Sequence, residues 1–264
     1  EMYPILTEEN LASCIGHFTG DYNYYRVSSF PNNPLFFKPI IKTSTNKFII
    51  SNAFIWARKF YEGIYWLIRD KYMKLQSQAF INNFGEYYEK YIEELLGFYL
   101  KPSNYGRVKA GGRRKADWLI HTDQYILIVE QKSCLMTISL KEEYPSLAQL
   151  DKYLNNFKEA YMQIADTVKD LGITTKTIIK LILHFEKFYL GEALIKERVS
   201  TLYRDEIPEL SNYFFIDTEE FEKLMQVLSE DEGTFNKIIE TKIEYEDSVP
   251  ISEGREFNHI IAKL

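Results

Sequence analysis

Two consecutive segments, Lys115 to His121 and Tyr125 to Lys132, are apolar on both faces and separated only by Thr122-Asp123-Gln124. A strand with one wet face alternates apolar and polar residues; a strand lacking that alternation must be covered on both sides. The pair therefore predicts a hairpin in the middle of a sheet, with helices packed on each face. Apolar residues recur with helical period from about Gln78 to Gly97, at Tyr88, Tyr91, Ile92, Leu95 and Leu96. Gly97 is the expected C-cap of that helix. A longer helix is expected from about Ser146 to Leu171, along Leu147, Leu150, Leu154, Phe157, Tyr161, Ile164 and Val168, with Gly172 ending it. Thr177 to Phe185 and Tyr213 to Ile216 read as further strands, and Asp217 or Thr218 as the cap of a helix to about Leu228. This order predicts an α/β chain with a mixed central sheet flanked by helices on both faces.

Residues 1–77 form an aromatic, proline-interrupted N-terminal extension. Leu35 to Lys38 and Lys47 to Ser51 read there as short strands around the polar turn Thr43 to Asn46. Ser51 or Asn52 is placed to cap a helix running to about Leu75. Residues 78–229 carry the core, and 230–264 form an acidic, irregular C-terminal segment. Within that last segment Glu240, Lys242 and Glu244 alternate with Ile239, Thr241, Ile243 and Tyr245, the pattern of a solvated strand face.

Composition narrows the function classes. With 45% apolar and 27% charged residues among 264, the chain is neither disordered nor fibrous. No apolar run approaches a membrane span. Cys14 and Cys134 are the only cysteines, which excludes a disulfide scaffold and points to a reducing, cytoplasmic setting. The net charge of −6 is unevenly spread: sixteen acidic residues face four basic ones between Asp205 and Glu256, so the remainder is positive. The sharpest basic run is Lys101, Arg107, Lys109, Arg113, Arg114 and Lys115, with no acid among them. Basic groups clustered this way neutralise phosphates. Gly111 and Gly112 allow close backbone approach to a nucleic acid.

Chemistry concentrates just after that run. If Asp123 and Gln124 form a two-residue turn, Thr122 faces Tyr125 and Asp117 faces Glu130. Lys132 shares the face of Glu130. Two ionised carboxylates in directly opposed positions repel by about 4 kcal/mol at an effective dielectric near 20. A bound cation, a shared proton or the Lys132 ammonium must offset that repulsion. Magnesium needs only one or two carboxylates and keeps open positions for water and phosphate. Asp117 and Glu130, with the Gln131 carbonyl, would hold it, while Lys132 orients the attacking water or steadies charge on the phosphate. Glu89 on the preceding helix, flanked by Glu86 and Glu93, is the candidate accessory carboxylate. His121 and His184 read as edge and core residues, Cys134 as packing, and Trp118 as a core residue on the face opposite Asp117.

Asp117, twelve intervening residues, then Glu130-Gln131-Lys132 closing an apolar strand resembles the PD-(D/E)XK superfamily of restriction-endonuclease-like nucleases. The preceding helix with Gly85, Tyr88 and Glu89 is similar to that superfamily's first core helix. The resemblance covers roughly Gln78 to Ile216, and Ala116 stands where the motif's name has proline. It implies a restriction-endonuclease-like core and a magnesium-dependent endonuclease, with manganese as a substitute and DNA favoured over RNA. It further implies Asp117 and Glu130 as metal ligands, Lys132 as the catalytic lysine, Glu89 as an accessory carboxylate and Gln163 as a phosphate or active-site contact. A restriction or phage-defence setting, and a homodimer or larger defence complex, follow from the same resemblance. The competing expectation is a catalytically silent nucleic-acid-binding or scaffolding module, its acidic C-terminal segment serving as an interaction surface or as a nucleic-acid mimic covering the basic groove.

Overall fold

A computed structural model describes residues 8–27, 34–36, 38–58, 68, 79–108, 115–133, 147–172, 175–186, 192–203, 212–248 and 256–263. The chain divides into two compact units, Glu1–Asn82 and Asn83–Leu264.

The first unit holds helix α1 (Glu8–His17), strand β1 (Thr19–Asp21), helix α2 (Tyr22–Val27), strands β2 (Ile40–Lys42) and β3 (Phe48–Ile50), and helix α3 (Ala53–Arg58). Strand β2 is central, parallel to β1 and antiparallel to β3. The turn between β2 and β3 closes through the Thr43 amide on the Lys47 carbonyl at 2.8 Å, with Asn46 at φ 59°. Strand β2 lies later than the expected Leu35 to Lys38. Pro34 to Phe36 form a 3-10 turn, and pairing begins only after Pro39, because proline has no amide to give a ladder. Asn52 caps α3 by accepting from the Ile55 amide at 3.1 Å. The expected continuation of this helix to Leu75 falls, apart from Ile68, outside the described residues.

Helix α4 (Ala79–Tyr99) leads into the second unit, which contains strands β4 (Tyr105–Arg107), β5 (Trp118–His121) and β6 (Tyr125–Lys132), helix α5 (Leu147–Leu171), strand β7 (Thr177–His184), helix α6 (Glu192–Leu202), strand β8 (Tyr213–Asp217) and helices α7 (Thr218–Glu230), α8 (Glu232–Ser248) and α9 (Phe257–Ile261). The sheet order is β4-β5-β6-β7-β8, antiparallel from β4 to β6 and parallel from β6 to β8. The doubly apolar strand β6 is thus the middle strand, and its two faces feed two separate cores. Leu127 and Val129 join Tyr88, Ile92 and Leu96 of α4, Phe221 of α7 and Phe235 of α8. Ile126 and Ile128 join Leu154, Phe157, Tyr161 and Ile164 of α5 with Val199 of α6. The chain is a mixed α/β protein.

Three expectations are corrected. Helix α4 runs through Gly97 to Tyr99, and a Cβ on Gly97 would lie 3.0 Å from the Tyr105 hydroxyl, so this glycine admits β4 instead of capping the helix. Strand β4 lies inside the basic run, where charge concealed it. The segment expected to be irregular is largely helix α8, started by Asp231, whose carboxylate accepts from the Gly233 amide at 2.9 Å and the Thr234 hydroxyl at 2.6 Å. Phe235, Ile238 and Ile239 lie at i, i+3 and i+4, fully buried against the sheet. Lys242 occupies the i+7 position of this stripe. It is not on a solvated strand but fully buried, its ammonium 5.4 Å above the Phe214 ring and 5.3 Å above Phe257. An acidic composition therefore hides a core helix. Phe235→Ala should lower unfolding free energy by about 3–5 kcal/mol in urea denaturation.

Helix α7 opens with a capping box: Asp217 accepts from the Glu220 amide at 2.8 Å, and Glu220 accepts from the Asp217 amide at 3.2 Å. The other Glu220 oxygen accepts from the Asn258 amide at 3.0 Å, joining α9 to α7. Burial, then the Asp217 charge, pushes the Glu220 carboxyl up to about 7. The folded chain consequently binds more protons than the unfolded chain between pH 4.5 and 7, and stability falls as pH rises through that window. Glu220→Gln should remove on the order of 2 kcal/mol of the stability lost between pH 5 and pH 8, read as a flatter pH profile of unfolding free energy.

Candidate active site

Helix α5 sets the position of the chain entering β5. Its buried Thr167 accepts from the Ala116 amide at 2.9 Å and donates to the Gln163 carbonyl at 2.8 Å. One turn earlier, the Gln163 side-chain amide donates to the Lys115 carbonyl at 3.2 Å. Two polar residues at i and i+4 on an otherwise apolar face thus hold residues 115 and 116, and Asp117 follows. Thr167 went unnoticed in the sequence; the signal was its position four residues after Gln163 on the inward side of the helix.

The β5–β6 register is the one the two-residue turn predicts: Trp118 pairs with Val129 and His121 with Ile126, and the Thr122 amide donates to the Tyr125 carbonyl at 3.0 Å. Carried one step outward, this register sets Asp117 opposite Glu130. The Asp117 amide donates to the Val129 carbonyl at 3.0 Å, and its carboxylate accepts from the Gln131 amide at 2.8 Å. Glu130 is 2% exposed. One of its oxygens accepts from the Lys132 ammonium at 2.6 Å; the other, Oε2, is buried with no hydrogen-bond partner. The Lys132 ammonium also donates to the Gln163 side-chain oxygen at 2.8 Å. The structure therefore brings Asp117, Glu130, Gln131, Lys132 and Gln163 together at one end of the sheet.

The electrostatics follow from this packing. Burial, then the nearby Asp117 charge, pushes the Glu130 carboxyl up to about 8 against the opposing pull of Lys132. Burial also raises Asp117, against the opposing pull of the Gln131 amide and Lys132. With both carboxyls ionised the pair would be short of positive charge, which a divalent cation could supply. The bare Oε2 of Glu130 and the opposed Asp117 suit magnesium, whose oxygen-donor demand is met by one or two carboxylates plus water. Among the described residues, no cluster of three or more His, Cys, Asp or Glu side chains is placed to hold a metal.

Other expected site residues lie elsewhere. The carboxylates of Glu89 and Glu93 both pair with Arg107, Glu93 at 2.9 Å, so in the free protein Glu89 is engaged by a guanidinium instead of the carboxylate pair. Arg107 itself stacks 4.5 Å above the Trp118 ring. Lys115 is no exposed phosphate contact: its side chain is 5% exposed and its ammonium meets the Asp166 carbonyl and the Asp170 carboxylate, each at 2.7 Å. Lys109, Arg113 and Arg114, like Cys134, fall outside the described residues. His184 pairs with Lys132 across β6 and β7, but burial lowers its imidazole to about 3, so it stays neutral. His121 is exposed.

No described helix is long and apolar enough to cross a membrane. In comparisons with known proteins, the chain matches no family model and no curated protein. Removing the ammonium while keeping the stem, in Lys132→Met, leaves two buried carboxylates facing each other. That variant should lose about 2–4 kcal/mol of unfolding free energy in metal-free buffer at pH 8.

Proposed function

We propose that this chain is a divalent-metal-dependent nuclease that hydrolyses phosphodiester bonds, DNA in preference to RNA, on a restriction-endonuclease-like core. The observation that carries this reading is the opposition of Asp117 and Glu130 beside Lys132, with one Glu130 oxygen buried and unpartnered. Asp117, Glu130 and the Gln131 carbonyl would hold magnesium or manganese. The bound ion would supply Lewis-acid polarisation of the phosphate and a water of lowered pKa. The remaining roles belong to the chain. The Gln131 amide fixes the Asp117 carboxylate. Gln163 and Glu130 both hold the Lys132 ammonium, and this cation would orient water and balance charge developing on the phosphate. Glu89 joins as an accessory carboxylate only when a phosphate draws Arg107 away from it.

A second reading, a silent nucleic-acid-binding or scaffolding module, draws on the Glu130–Lys132 ion pair, which balances one carboxylate without any metal. Cleavage decides between them. Plasmid, single-stranded DNA and RNA should be incubated with magnesium, manganese or EDTA. Metal-dependent cleavage of DNA is expected, falling at least a hundredfold in Glu130→Ala and in Lys132→Ala. Cleavage unchanged in both variants would overturn the nuclease reading, and DNA binding with no cleavage in any metal would favour the module.

A further inference from the structure

The hairpin carries a polar contact on the face opposite the candidate site. Trp118 is 1% exposed and lies in the core shared with α4, yet its indole N–H donates to the Gln131 side-chain oxygen at 3.1 Å. A buried indole N–H needs an acceptor, and here the acceptor belongs to the residue between Glu130 and Lys132. The main-chain amide of the same Gln131 donates to Asp117 Oδ2 at 2.8 Å. One residue thus has its side chain tied on one face of the sheet and its amide tied to the carboxylate of the neighbouring strand.

This matters because Gln131 is the penultimate residue of β6. The β7 ladder holds β6 through Lys132, but on the β5 side pairing ends at Asp117, and a turn of the 131 peptide there would shift three groups together. It would carry Glu130 and Lys132, its two neighbours, and would break the amide contact that aims Asp117. We infer that Trp118 is a positioning residue of the site: through the Gln131 side chain it fixes the peptide that orients Asp117. Arg107, stacked on the Trp118 ring and held by Glu89 and Glu93, restrains the indole from above. The inference rests on the metal-site reading above.

Manganese binding to the full chain, followed by electron paramagnetic resonance titration, tests it without relying on turnover. Trp118→Phe removes the N–H donor and keeps an aromatic ring; Gln131→Met removes the acceptor and keeps the length. Each should raise the manganese dissociation constant about tenfold, the lower end of the loss typical when a ligand's supporting partner is removed. Because both cut the same link, the double variant should also sit near tenfold, not a hundredfold. A purely structural role would lower the melting temperature and leave manganese affinity unchanged below it. If Trp118→Phe fails to fold, Gln131→Met, at a half-buried strand end, carries the test alone. Wild-type affinity lost in Asp117→Asn but retained within twofold in Gln131→Met and in any folded Trp118→Phe overturns this inference and leaves the metal site standing. No manganese binding in the wild type, or binding that survives Asp117→Asn, overturns the metal-site reading and this inference with it.

Discussion

Two carboxylates forced into opposed positions at the end of a central hairpin are the constraint around which this unit is arranged. The turn after Thr122 sets the register, and the register leaves Asp117 and Glu130 no freedom to avoid each other. Burial, which stabilises the rest of the sheet, makes their charges costlier. Each group around them reduces that cost. Lys132 pairs with one carboxylate, the Gln131 amide binds the other, and Gln163 keeps the ammonium from turning away. A stable fold alone would place apolar residues there, since a buried ion pair seldom outperforms well-packed side chains of the same volume. Two acids and a lysine at that strand end are a cost in stability, which the proposed metal site would explain.

Helix α5 both packs on the sheet and holds the hairpin. Its apolar stripe of Leu154, Phe157, Tyr161 and Ile164 covers one face of the sheet, and that packing fixes where its two inward polar residues stand. Gln163 and Thr167 then hold the backbone of residues 115 and 116 by hydrogen bonds whose geometry the packing has already decided. The opposite face has an analogous arrangement. Helix α4 buries Tyr88, Ile92 and Leu96, while its Glu89 and Glu93 hold Arg107 over Trp118. The hairpin is therefore supported from both layers, with the polar contacts of each layer located by its apolar ones.

Much of this was legible in the sequence, and the rest was hidden for identifiable reasons. The central hairpin could be read because strands apolar on both faces have one place in a sheet, and a two-residue turn permits one register. The core of Asp117, Glu130 and Lys132 followed by arithmetic. The basic run could not be read the same way, because charge density along a chain says nothing of the partners that folding supplies. Lys115 is spent on Asp170 and the Asp166 carbonyl, and Arg107 on two glutamates eighteen and fourteen residues earlier. Helix α8 misled for a different reason. Alternation over Ile239 to Tyr245 satisfies a strand template, but the deciding apolar positions, Phe235 and Ile238, lie upstream of it. Its buried Lys242 adds a charged letter at a position that is core in three dimensions.

The distribution of charge bears on how a polyanion would meet this surface. Arg107 is a described member of the basic run whose charge is felt at Asp117. It is also about half exposed and already held by two carboxylates. An exposed ion pair is worth little in water, at most about 1 kcal/mol, so a phosphate with its full charge competes for the guanidinium at small cost. The same exchange would release Glu89 next to the ring on which Arg107 rests. Charge neutralisation of the resting protein and recognition of a phosphate would then draw on one guanidinium, and whichever anion holds it decides whether an extra carboxylate is free.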